Sequence, residues 1–128
     1  MRVRLVAIAT LLAISCASPR EKAYKAAMKD YQRANQATVQ YARTQVKQLV
    51  VATQSFRTAL SRWPQNYNEL VTFAVENQLV FNPYAFNEVS FAMLPNASAQ
   101  IRYDVNCAGF DTPQYKFSQS GTINVKAR

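Results

Sequence analysis

The chain of 128 residues has no histidine, only two glycines (Gly109 and Gly121) and only two cysteines (Cys16 and Cys107). Without histidine the commonest general base and metal ligand is missing, and Ser-His and Cys-His nucleophile pairs are excluded with it. The usual zinc sites fail on the same count. Two glycines with eleven residues between them cannot build a glycine-rich phosphate loop. The seven acidic residues are scattered. Glu69 and Glu76 share a helix-face spacing, but Glu69 is placed to cap a helix rather than to work as half of an acid/base pair. Asp104 and Asp111 form no catalytic pattern. No catalytic residue, metal site, cofactor or small-molecule substrate is expected.

The N-terminus also lacks a run long enough for a membrane span. Leu5–Ile14 is ten residues of mainly apolar sequence, about half of the ~20 that a bilayer-crossing helix needs. It follows the basic start Met1-Arg2-Val3-Arg4 and leads into the small residues Ser15-Cys16-Ala17-Ser18. Positive n-region, short apolar h-region and small residues at the cut are the three parts of a bacterial export signal. Residues 1–15 are therefore read as a signal peptide.

Ala13-Ile14-Ser15-Cys16 resembles the lipobox of bacterial lipoproteins, with Ala13 standing where leucine is usual. The resemblance implies that Cys16 carries a diacylglyceryl group and a palmitate-type acyl chain and becomes the mature N-terminus. It also implies a periplasm-facing protein. Ala17 and Ser18 after the cysteine, in place of aspartate, imply the outer rather than the inner membrane. Ordinary cleavage after Ser15 or after Ala17 satisfies the small-x-small rule as well.

From Cys16 onward thirteen Lys and Arg remain against seven acids, because Arg2 and Arg4 leave with the signal. This surplus of six attracts acidic partners without specifying them. Lys22, Lys25, Lys29 and Arg33, interleaved with Tyr24 and Tyr31, concentrate the charge close to the expected lipid. They are candidates for contact with anionic membrane or with a polyanion, and otherwise form a solvated helix face. With Cys16 lipidated, Cys107 has no partner for an intrachain disulfide. It continues the alternation Ile101, Tyr103, Val105, which predicts a buried thiol; pairing with another chain is the alternative.

Between Pro19 and Pro64 no proline or glycine interrupts 44 residues, which predicts a long helix. Ala42, Val46, Leu49, Thr53, Phe56, Leu60 and Trp63 recur at alternating spacings of four and three, so one face of its second half should be buried. Tyr24, Met28, Tyr31, Asn35 and Val39 continue the stripe more thinly, as a stalk would. Pro64 should end the helix. Asn66, with Glu69 three residues on, should cap a second helix ending near Asn77. The period then changes to two. Val89, Phe91 and Met93 mark one strand, Ile101, Tyr103 and Val105 a second, Tyr115 and Phe117 a third, and Ile123 and Val125 a fourth after a turn at Gln119-Ser120-Gly121. Helices followed by strands predict an α+β domain: a long N-terminal helix, a short second helix, and a three- to four-stranded antiparallel sheet packed on the C-terminal half of the first helix. The expected division is signal peptide 1–15, lipid-anchored helical stalk 16–40 and head 41–128.

From about Val46 to Val125 this order resembles the heads of type IV pilin-like proteins, including the pseudopilins of type II secretion. The closest local likeness is the segment from Phe56 to Leu70, where an aromatic helix end passes through Trp63-Pro64 into a short helix with Glu69-Leu70 near its start. The leader has no glycine and the mature helix is charged from its first turn, so the features by which pilins are processed and polymerise are missing. What the resemblance implies is a lipid-anchored, non-enzymatic envelope protein that binds other envelope proteins, as an accessory subunit of a secretion or pilus-like apparatus. The basic surplus supports a different expectation, a binding module for an acidic polymer such as DNA or an anionic glycan. A structural envelope protein without a ligand is a third.

Overall fold

The computed structural model of the chain describes residues 18–127, so the expected signal peptide and Cys16 lie outside the described residues. Helix α1 spans Pro19–Leu60. It starts where Ser18 accepts the Glu21 backbone N–H on its hydroxyl at 3.3 Å, with proline in the first turn and Glu21 at the positive end of the helix dipole. The chain divides into two compact units between Ala34 and Asn35. In the first, residues 18–33 are all exposed. The second, from Asn35 onward, contains the remainder of α1, all of the sheet and the core.

The apolar stripe on α1 is buried at Ala42, Leu49, Thr53 and Phe56. Thr53 satisfies its hydroxyl by donating to the Leu49 carbonyl at 2.7 Å, which explains how a polar side chain sits fully buried there. The helix stops earlier than Pro64 requires. Ser61 takes a left-handed conformation (φ 58°) while its N–H still bonds the Arg57 carbonyl, so Leu60 ends α1 and remains exposed. Trp63, expected as the last residue of the helical stripe, is instead buried from the connecting turn, with the Arg57 guanidinium 5.7 Å from its ring centroid.

Helix α2 (Tyr67–Glu76) begins at Asn66, whose side chain accepts from the Glu69 N–H at 2.9 Å. Its far end closes through two bonds, Leu79 N–H to the Ala74 carbonyl and Gln78 N–H to the Val75 carbonyl. This is the Schellman arrangement, with Gln78 (φ 53°) where glycine is usual.

Strands β1 (Phe86–Leu94), β2 (Ser98–Val105) and β3 (Gln119–Lys126) form an antiparallel meander in the order β1-β2-β3. Phe91, Ile101 and Ile123 lie in one cross-strand row, and Val89, Tyr103 and Gly121 in the next. Alternation puts these on the same sheet face. Leu49 and Phe56 of α1, Leu70 of α2, and Ile101 and Val105 of β2 are the large apolar side chains that become fully buried in the core. Each such burial is worth roughly 1.5–3 kcal/mol.

Three sequence expectations for the strand region shift. Tyr115 and Phe117 lie in irregular chain rather than in a strand, and Gln119-Ser120-Gly121 opens β3 instead of turning. Asp111 accounts for the first difference, because its carboxylate accepts the Phe117 N–H at 2.9 Å and takes from it the bond a ladder would use. Met93 continues the inward alternation but is exposed at the end of its strand.

Candidate functional site

Cys16, the expected lipidation site, lies outside the described residues. Lys22, Lys25, Lys29 and Arg33 are all exposed on α1, and their spacing of three and four aligns them along one face. Tyr24, Met28 and Tyr31 are exposed apolar side chains of the same turns.

Glu69, Asp104 and Asp111 are taken up by hydrogen bonds and ion pairs, while Glu76 is exposed at the end of α2. Glu69 accepts both ends of the Arg62 guanidinium, at 2.7 and 3.0 Å, and the Gln65 N–H at 3.0 Å. The expected reciprocal capping bond is thus redirected to the residue before the cap. The Arg62 fork is the main reason, and the Gln65 amide the second, that the Glu69 carboxyl is held down at about 2. Arg62 in turn lies 5.1 Å from the Phe56 ring centroid, so the ion pair clamps the α1–α2 connection over the core. Asp104 accepts from Asn87 and Ser120, and Asp111 pairs with Lys116 at 3.9 Å. No group of three or more metal-ligating side chains occurs among the described residues.

Cys107 is buried beyond the end of β2. Burial first, and the carboxylates of Asp104 and Asp111 next, push its thiol up and away from the reactive thiolate. Tyr67 is raised to about 12 by burial and donates its hydroxyl proton to the Pro83 carbonyl at 2.7 Å, tying α2 to the turn before β1.

Sequence reasoning missed an apolar trough of about 570 Å³ between α1 and the β3 side of the sheet. Val39, Val46 and Val50 line its helical wall, and Tyr103 and Ile123 its sheet wall. Arg43 and Lys47, both exposed, are the only charged residues among those lining it. A sequence signal for it exists: Val50 lies beside the stripe that Val39 and Val46 belong to and widens the apolar face of α1. Its shape follows from Gly121. A side chain there would collide with the Tyr103 hydroxyl and come within 2.7 Å of the ring carbon bearing it, so the phenol lies across the glycine. Tyrosine over a cross-strand glycine restores the apolar cover that glycine omits.

Comparison with protein-family models, with curated proteins and with solved structures finds no match to this chain.

Proposed function

We propose that the chain is a non-enzymatic lipoprotein of the bacterial cell envelope, held by acylated Cys16 on the periplasmic side of the outer membrane. Its α+β domain binds other envelope proteins, as an accessory subunit of a secretion or pilus-like apparatus. The observation that carries this reading is the passage from the ten-residue apolar run ending at Ile14, through Cys16, into a helix whose residues 19–33 are all exposed. A segment of that kind suits the space between a lipid and a folded domain. No helix among the described residues is long and apolar enough to cross a membrane, which is compatible with anchoring by lipid. Lys22, Lys25, Lys29 and Arg33 would then face anionic headgroups, with an attraction of about 1 kcal/mol for a residue at the surface that falls off from Lys22 towards Arg33. The likeness to pilin heads rests on element order and on residues 56–70, and it supports the interaction role.

The test is site-specific photocrosslinking in intact envelopes from exposed positions of the domain, Val75, Val80 and Thr122. A discrete adduct with one envelope protein, lost when Cys16→Ser releases the chain from the membrane, is the expected result. Absence of any specific adduct from all three positions would refute the interaction role. Capture of DNA or an anionic glycan, weakening steeply with salt, would favour the polymer-binding alternative.

A further inference from the structure

The two outer strands of the sheet differ in how well their edges are protected. β1 is irregular between Phe86 and Glu88, where Asn87 is an extra residue, and it has α2 beside it. Bulges and inserted charge are the usual devices that stop an edge from pairing further. β3 has no bulge and no charge before its last residue. Its eight residues pair with β2 without a register shift, it contains no proline, and its only charge is Lys126 at the end. Among the described residues no strand pairs with its outer side. Alternate N–H and C=O groups of β3 therefore point away from β2. The apolar trough opens along the same side of the sheet, lined by Gln119 and Ile123 of β3.

We propose that this edge takes an extended segment of a partner protein as a fourth strand, with apolar side chains entering the trough over Val46 and Val50 and carboxylates meeting Arg43 and Lys47. Charge selects the occupant. The rim carries two cations and no carboxylate, and the chain holds fifteen Lys and Arg against seven acids. A second copy would bring another pair of cations to the same place, so self-pairing is opposed where an acidic segment is favoured. Strand addition of this kind takes its affinity from main-chain hydrogen bonds and its specificity from alternate side chains. The inference rests on the reading of the domain as an interaction module and is independent of the lipid on Cys16.

The probe is an eight-residue peptide, the length of β3, with threonine at outward positions, valine at two inward positions and glutamate at the other two. Its counterpart carries lysine for glutamate. Hydrogen exchange and valine methyl shifts are followed on the full chain carrying Cys16→Ser. The glutamate peptide should slow exchange of the outward β3 amides about tenfold, shift Val46 and Val50, and bind about tenfold better than the lysine peptide. In the doubly exposed variant Arg43→Glu/Lys47→Glu the preference should reverse, a change that a fold defect would not produce. Equal binding of the two peptides would overturn the proposal, as would methyl shifts without protection of β3, which mark the trough as a small-molecule site. Protection that grows with protein concentration alone would replace the partner by a second copy. A specific crosslink from Val75 or Val80 with β3 unaffected by the peptide would sink the edge proposal and leave the interaction role standing.

Discussion

Glycine is so scarce here that left-handed backbone positions are filled by other residues, and one of them permits a clean test of the fold. Ser61, Gln78, Asn96 and Ala97 all have positive φ, and neither glycine does. At Gln78 the geometry is the Schellman closure of α2, made by backbone groups while the side chain is exposed. Holding a non-glycine residue in this conformation costs about 1–2 kcal/mol. Gln78→Gly removes that cost and adds back roughly 0.5–1 kcal/mol of unfolded-state freedom. The net expectation is a gain of about 0.5–1 kcal/mol, or roughly 2–8 °C in Tm for a domain of this size. Urea and thermal unfolding followed by far-UV circular dichroism measure it, with an unchanged urea m-value as the sign that only stability has moved. Gln78→Ala is the control, because it removes the same side chain but keeps Cβ, and its Tm should stay close to that of the parent. A lower Tm for the glycine variant, or an equal gain in both variants, would refute the conformational argument.

Three further outcomes follow from particular contacts. Gly121→Ala places a methyl group against the Tyr103 ring and should destabilise by about 1–3 kcal/mol, with Gly121→Ala/Tyr103→Leu recovering part of the loss in the same unfolding assay. Because the Glu69 carboxyl is lowered from its ordinary 4.5 to about 2, its stabilising contribution is complete above pH 4.5 and disappears as pH falls from there towards 2. Glu69→Gln should flatten that part of the stability-versus-pH curve, and a profile identical to the parent's would count against the Arg62 clamp. In a chain carrying Cys16→Ser, Cys107 should resist alkylation under native conditions and react fully in denaturant, since burial and two nearby carboxylates disfavour its thiolate. Native labelling at the rate of a small free thiol would contradict this.

The helical part of the fold is legible in the sequence for local reasons. Absence of proline and glycine from 44 residues, Pro64 as a stop, and Asn66 before Glu69 are signals of local chain geometry, whereas the Ser18 cap emerges only in the structure. Where long-range pairing decides, the sequence is ambiguous. Gln119-Ser120-Gly121 has turn composition and becomes strand because β2 offers Tyr103 to cover the glycine. Tyr115 and Phe117 alternate as a strand would, but the Asp111 carboxylate takes the amide of Phe117. Leu60 fits the helical stripe yet lies exposed, since Ser61 turns the chain and brings Trp63 into the core in its place. The trough is only half legible for a related reason: Val50 widens the apolar face of α1 in the sequence, but that Val46 and Val50 stay partly uncovered depends on where the strands lie.

We propose that Cys16 anchors this chain to a membrane through lipid, and intact mass spectrometry of the protein purified from native membranes, beside its Cys16→Ser variant, is the test. A mature species beginning at Cys16 with the added mass of a diacylglyceryl group and an acyl chain is expected, and it should be lost in the variant. An unmodified mature chain, the same for both proteins apart from the substitution, would contradict it.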